Sequence, residues 1–200
     1  MKKHTTILIT GGIGAGKSEV SRYLMSTGIP VYDSDSRAKE LYNIEPQLIE
    51  SLEEAFGTVL YEADGSFDRK HLAEIVFSSE ANLKICESIV HPAVLRDFIS
   101  WRAGQPAGIV AMESAIALSK PLFDGSYDLS IYVDAEENLR VRRTCARDGS
   151  NPEAVRRRID NQPDFRSKAD YVIMNNGNLE ELHRSIGAIV LPLMIQEINN

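Results

Sequence analysis

Residues 11 to 18 read GGIGAGKS, between the apolar run TTILIT (5 to 10) and the helix-like stretch SEVSRYLMST (18 to 27). The spacing is G-x-x-x-x-G-K-[ST], with Gly11, Gly16, Lys17 and Ser18 at the set positions and further glycines at Gly12 and Gly14. Glycines remove the Cβ atoms that keep main-chain N–H groups from converging on an anion, and the helix that follows adds its N-terminal partial positive charge. The stretch therefore predicts a strand, a phosphate cradle and a helix in succession. Lys17 would reach the β and γ phosphates of a nucleoside triphosphate. The Ser18 hydroxyl would face a magnesium ion, a hard cation that takes oxygen ligands and keeps several waters. A plain glycine-rich turn explains neither the Lys-Ser pair nor the β-type run before it.

Four more apolar runs read as strands: IPVYD (29 to 33), GIVAME (108 to 113), LSIYVDA (129 to 135) and DYVIMN (170 to 175). They are nearly continuous rather than alternating, as in parallel strands buried on both faces. Helical patterns separate them, including LEELHRSIGAIVLPLMIQEI (179 to 198), where Pro192 is expected to kink the helix. Strands alternating with helices imply a three-layer α/β fold of the P-loop NTPase kind, with a five-stranded parallel sheet and right-handed crossovers. Between the second and third strands lie roughly 75 residues without a convincing strand, too many for one crossover. They read as a helical insertion: LIESLEEAFG (48 to 57), a turn at EADGSFD (62 to 68), then helix from Arg69 to about Arg102. The expected division is a nucleotide-binding core at 1–35 and 105–200 with an insertion at 36–104.

Composition narrows the functional classes. The 200 residues are 43% hydrophobic and carry 22 Lys plus Arg against 29 Asp plus Glu, a formal charge of −7. That balance argues against nucleic acid or an anionic membrane as a partner, so any anionic ligand needs a local basic site. Cys86 and Cys145 form no C-x-x-C pattern, which points to a reducing, cytoplasmic setting. Lys2 and Lys3 resemble a signal-peptide start, but Thr10 and the glycines break the apolar run after them. No segment approaches the roughly 20 apolar residues needed to span a bilayer.

In open parallel sheets, ligands bind beyond the carboxyl ends of the strands. Here those ends carry Asp33, Glu113, Asp134 and Asn175 beside the glycine loop. Asp33 and Asp35, in VYDSDSRAKEL, stand two residues apart at a turn; either faces the cleft or caps the next helix, and the pattern leaves both open. Glu113 takes the place where enzymes with such a loop hold a metal-directed acid on the neighbouring strand. Asp134 reads as an ordinary capping residue. Between 140 and 166 stand Arg140, Arg142, Arg143, Arg147, Arg156, Arg157, Arg158 and Arg166 against four acids, a candidate triphosphate clamp within an acidic protein. Arg143 and Arg147 share a helix face, whereas the triplet 156 to 158 must splay, leaving at least one arginine merely solvated. Arginines closing over a triphosphate screen developing charge and exclude water, and are worth about 10³ to 10⁵ in rate. His91 before Pro92 reads as a helix start with proline at the first helical position. His4, His71 and His183 have no ligand spacing. SKAD (167 to 170) lacks both the full guanine-reading motif and a D-x-x-G partner, which excludes a GTPase and speaks against a nucleotide-switched regulator.

The ordered set of motifs resembles the dephospho-CoA kinase family over nearly the whole chain. It comprises TGGIGAGKS, GIPVYDSD (28 to 35), EAFG and DGSFDR (54 to 57, 64 to 69), the HP pair at 91 and 92, YVDA (132 to 135), R-x-x-x-R-D-G at 143 to 149, RRRIDNQ (156 to 162) and KADYVIMNNG (168 to 177). The resemblance implies transfer of the ATP γ-phosphoryl group to the ribose 3′-hydroxyl of dephospho-CoA, with magnesium held through Ser18 and Glu113. It places Gly12, Gly14, Ala15, Gly16, Lys17, Ser18 and Glu19 against ATP, with Asn175 and Gly177 beside the adenine. Asp33 becomes the base or orienting carboxylate, residues 136–160 become a lid within the core, and Lys17, Arg143 and Arg147 serve the transfer. The insertion becomes the acceptor-binding domain through Asp35, Arg69 and His91. One segment departs from the family pattern D-x-P-L-L-F-E: in ESAIALSKP (113 to 121), Glu113 keeps the acid while Ala115 and Ser119 replace the proline and the later glutamate. A nucleoside or nucleotide monophosphate kinase is the nearest alternative. The chain is expected to act as a monomer or small homo-oligomer.

Overall fold

A computed structural model describes residues 4 to 199, so Lys2 and Lys3 lie outside the described residues. The chain runs β1 (Thr5–Gly11), α1 (Lys17–Ser26), β2 (Val31–Asp33), α2 (Ser34–Ile44), α3 (Pro46–Phe56), α4 (Arg69–Val76), α5 (Glu80–Ala103), β3 (Ile109–Glu113), β4 (Leu129–Asp134), α6 (Glu137–Asp148), α7 (Pro152–Asp160), β5 (Tyr171–Met174) and α8 (Leu179–Ile198). Short 3₁₀ turns occupy Ala117–Ser119, Pro121–Phe123 and Arg166–Lys168. The strands form one sheet in the order β2-β3-β1-β4-β5. Strand β1 pairs in parallel with both β3 and β4, and β4 with β5.

Two compact units divide the chain: Met1–Tyr32 with Arg102–Asn200, and Asp33–Trp101. In the first, all of β1 from Thr6 to Gly11 is buried, as a central strand covered on both faces must be. One face packs on α1 and α8, joining Ile7, Ile9, Val20, Leu24, Ile131, Ile186 and Val190 in a single apolar cluster. Expecting continuous burial in every strand is too broad. Among the described residues strand β5 has only β4 as a neighbour, and Tyr171, Val172 and Met174 are exposed on that edge. Helix α8 runs through Pro192 as one element.

The helical material expected from Arg69 to about Arg102 is present as α4 and α5, separated at residues 77 to 79 and lying almost wholly in the second unit. The expected helix start at His91 and Pro92 is corrected: both lie inside α5. Proline there removes a main-chain donor. Burial of Val90, Ala93, Val94 and Phe98 along one side carries the helix through it. The unit is further held by two bonds from the Arg37 guanidinium to the Asp97 carboxylate, Nε to Oδ2 at 2.9 Å and Nη2 to Oδ1 at 2.8 Å. A stack of Tyr42 on Phe67 adds to this.

Candidate active site

The glycine loop follows the carboxyl end of β1 and turns directly into α1. Gly16 ends the loop with φ of 107°, and a Cβ there would lie 2.2 Å from the Asn175 Nδ2 atom. Gly14, at φ of 71°, would meet the Arg140 carbonyl oxygen at 2.4 Å. Only glycine satisfies both the conformation and the space at these two points. Lys17 curls back over the loop, its Nζ donating to the carbonyl oxygens of Gly11 at 2.9 Å and Gly12 at 3.2 Å. The Lys17 cation is thus held against the loop's own main-chain carbonyls.

The register of the sheet sets the acid. Glu113, the last residue of β3, lies opposite Ile9 of β1. Its carboxylate accepts the Ser18 hydroxyl at 3.0 Å through Oε1 and the Ser21 hydroxyl at 2.6 Å through Oε2. This all-oxygen pair, Ser18 and Glu113, fits a magnesium ion that draws its remaining ligands from phosphate and water. Among the described residues no group of three or more His, Cys, Asp or Glu forms a protein-only metal site. Ser21, one turn beyond Ser18, goes unremarked in the sequence, although its spacing puts it on the same helix face.

A cavity of about 580 Å³ opens beside the loop. Gly14, Gly16, Lys17, Ser18, Glu19 and Arg22 line one side, Arg143, Thr144 and Arg147 of α6 another, and Asn175, Gly177, Asn178 and Leu179 a third. Nine of the residues expected at the nucleotide are therefore gathered here: Gly14, Gly16, Lys17, Ser18, Glu19, Arg143, Arg147, Asn175 and Gly177. Gly12 and Ala15 are not on the wall. Gly12 sits beneath the Arg140 guanidinium, and Ala15 is wholly buried. Asn175 faces two ways. It lines the cavity, yet its amide donates from Nδ2 to the Ala15 carbonyl at 2.9 Å, bracing the loop from behind.

The arginines have short-range partners. Arg143 Nη1 donates to the Asn175 carbonyl at 3.0 Å. Arg147 grips its neighbour Asp148 through Nε at 2.6 Å and Nη2 at 2.9 Å, which lowers the Asp148 carboxyl below its ordinary range. Arg156 bonds Glu137 and Asn138, while Arg157 and Arg158 are exposed. Arg166 chelates Asp164, whose pKa falls to about 2 because the guanidinium and the Arg166 main-chain N–H both bond it. Two features escape sequence reasoning. Thr144 is buried with its hydroxyl unpartnered among the described residues. The main chain of Ile13 is held by Gln162 and Arg140.

The remaining predicted residues belong to the unit Asp33–Trp101. Asp33 caps α2: Oδ1 accepts from the main-chain N–H groups of Asp35 and Ser36, both at 3.1 Å, and Oδ2 from the Ser36 hydroxyl at 2.7 Å. The capping alternative is realised, and its exposed carboxylate is held in one orientation. Asp35 lies exposed in the first turn of α2. Arg69, at the start of α4, donates to the Lys39 carbonyl at 2.9 Å. His91 is half-buried within α5.

Comparison with known proteins converges on one family. The family model described as Dephospho-CoA kinase matches residues 5–181. A dephospho-CoA kinase of Porphyromonas gingivalis is 45% identical over 174 residues, 85% of each chain. A crystal structure from Thermus thermophilus superposes with a TM-score of 0.80 at 33% identity, covering 96% of this chain and 99% of that one. A dephospho-CoA kinase from Campylobacter jejuni has the same fold, with a TM-score of 0.64 at 22% identity over 94% of this chain and 96% of its own.

Proposed function

The chain belongs to the dephospho-CoA kinase family, the enzymes of the last step of coenzyme A synthesis, and from that premise we propose how its residues divide the work. The reaction is transfer of the γ-phosphoryl group of ATP to dephospho-CoA. The acceptor oxygen is the ribose 3′-hydroxyl, and transfer is direct and in line. A bond forms between that oxygen and the γ-phosphorus as the bond to the β-γ bridging oxygen breaks. ADP departs with the electron pair, and the hydroxyl proton passes to Asp33. A loose phosphoryl-transfer transition state needs positioning and charge stabilisation more than a strong base, so a carboxylate locked by its capping bonds suits the role.

The loop amides and Lys17 hold the β and γ phosphates. Ser18 and Glu113 would hold magnesium, which would supply charge neutralisation to the phosphates. Arg143 and Arg147, carried by the lid at 136–160, exchange their present partners for phosphate oxygens. Gly177 and its neighbours receive the adenine. Asp35, Arg69 and His91 serve the acceptor within the helical insertion. The cytoplasmic setting inferred from cysteine usage accords with two free thiols, Cys86 and Cys145. No helix of the described residues is long and apolar enough to cross a membrane.

The observation that carries this reading is the convergence of Lys17, Ser18, Arg143 and Arg147 on one cavity, with Glu113 bonded to Ser18 at its edge. Incubation with ATP and a panel of acceptors tests it. Dephospho-CoA should drive rapid ADP formation and nucleoside monophosphates should not. Consumption of nucleoside monophosphates alone would assign the chain to a monophosphate-kinase activity.

A further inference from the structure

Ile13 is the apex of the glycine loop, and both polar groups of its main chain are engaged from outside the loop. Its N–H donates to Gln162 Oε1 at 2.8 Å, and its carbonyl accepts from Arg140 Nε at 2.9 Å. Arg140 Nη2 also donates to Gln162 Oε1 at 3.2 Å, closing a three-membered circuit. Arg140 is in turn backed by the buried carboxylate of Asp134, its Nη1 lying 3.7 Å from Oδ1. Asp134 takes a second guanidinium, Arg166 Nη1, at 3.1 Å on Oδ2. Arg140 belongs to α6, the helix that carries Arg143 and Arg147, and Gln162 lies just beyond α7. The loop is therefore tied to both ends of the segment read as its lid.

We propose that Arg140 and Gln162 are positioning residues that set the apex of the phosphate loop through the Ile13 peptide, coupling its shape to the placement of the lid helices. The proposal rests on the reading of the loop as the triphosphate site. A main-chain amide at a loop apex has no neighbour in secondary structure, so without outside partners the Ile13 peptide would rotate. Rotation there would spread to Gly12 and Gly14, whose glycine backbones offer little resistance. Gln162 acts only through its oxygen, because both of its bonds are accepted. A carboxylate of the same length would accept the same two bonds and would strengthen the one from Arg140.

That distinction supplies the test. Gln162 is exposed, so its substitution leaves the core intact and the Tm within about 2 °C. In the nucleotide-free protein, Gln162→Ala should speed hydrogen exchange of the Ile13 amide roughly tenfold, as expected when its hydrogen bond is lost. With ATP, the same variant should raise KM for ATP roughly five- to tenfold. Gln162→Glu should restore slow Ile13 exchange, and Arg140→Ala, which leaves the Gln162 bond to the Ile13 amide in place, should raise KM for ATP as Gln162→Ala does. Unchanged Ile13 exchange in Gln162→Ala overturns the proposal. So does a Gln162→Glu variant whose Ile13 amide exchanges as fast as in Gln162→Ala, since a carboxylate oxygen accepts the same bond. The exchange measurement needs neither nucleotide nor acceptor, so its failure is separable from an error in the acceptor assignment.

Discussion

The glycine loop and helix α6 face the same cavity with opposite construction. The loop offers main-chain amides and one lysine already seated on the Gly11 and Gly12 carbonyls. The helix offers long guanidinium groups occupied by close partners, Arg143 on a main-chain carbonyl and Arg147 on the exposed carboxylate next to it. Fixed dipoles stabilise a transition state without reorganising at the moment of reaction. Exposed ion pairs are weak and screened by salt, so exchanging Asp148 for a phosphate oxygen meets little resistance. On the proposed function, the loop is ready in advance, and the helix becomes effective only when a triphosphate competes for its arginines.

This contrast orders the expected mutational effects. Lys17→Ala strikes the preset half and should remove turnover by about 10³-fold or more, by analogy with loss of a preorganised charge-stabilising donor. Near-normal steady-state rates would show that the loop is not the phosphate site. Asp33→Asn should lower kcat on the order of 10²-fold or more while leaving the Kd for ATP nearly unchanged. It should also weaken the cap on α2, so Tm is followed alongside. Arg143→Ala and Arg147→Ala should each cost roughly tenfold to 10²-fold in kcat/KM, the scale of one charge-assisted bond. If the helix acts conditionally, that loss is read with ATP and largely absent when only ADP binding is measured.

The smallest effect concerns a pair outside the cavity. The Asp164 carboxyl should titrate near pH 2, and Arg166→Ala should return it toward its ordinary value of 3.8. Its folded-state pKa is depressed, so any stability it confers is complete above the unfolded value and fades as pH falls through about 2. Both partners are exposed, and raising the salt should diminish the shift. Side-chain carboxyl NMR reads the titration, its return in Arg166→Ala and its salt dependence.

What the sequence discloses follows the same division. The loop, its flanking strand and helix, and Glu113 at the end of β3 are legible because backbone sites depend on spacing and on glycine. The number of strands is legible from apolar runs, but the exposure of Tyr171, Val172 and Met174 is not, because an edge strand is defined by a neighbour it lacks. Pro92 misleads for a related reason: local chemistry favours a helix start, and the burial of Val90, Val94 and Phe98 overrides it. Of the eight arginines, spacing places Arg143 and Arg147 on one helix face and the family resemblance turns them toward phosphate, where the cavity wall holds them; neither singles out Arg140, whose partner Ile13 lies 127 positions away. Asn175 is found by motif, yet its bond to the Ala15 carbonyl depends on the packing of β5 against the rest of the sheet. Thr144 leaves no trace in the sequence, since a threonine within a helix is unremarkable until its hydroxyl is seen buried.

The central claim is that main-chain amides of the glycine loop hold the triphosphate while Asp33 directs the acceptor alcohol at its terminal phosphorus. A crystal structure with a non-hydrolysable ATP analogue and dephospho-CoA bound together tests it most directly. The β and γ phosphates should lie on the loop with Lys17, and the ribose 3′-hydroxyl within hydrogen-bond reach of Asp33, about 2.6 to 3.2 Å. A triphosphate bound elsewhere, or a 3′-hydroxyl turned away from Asp33 in the closed complex, would contradict the account.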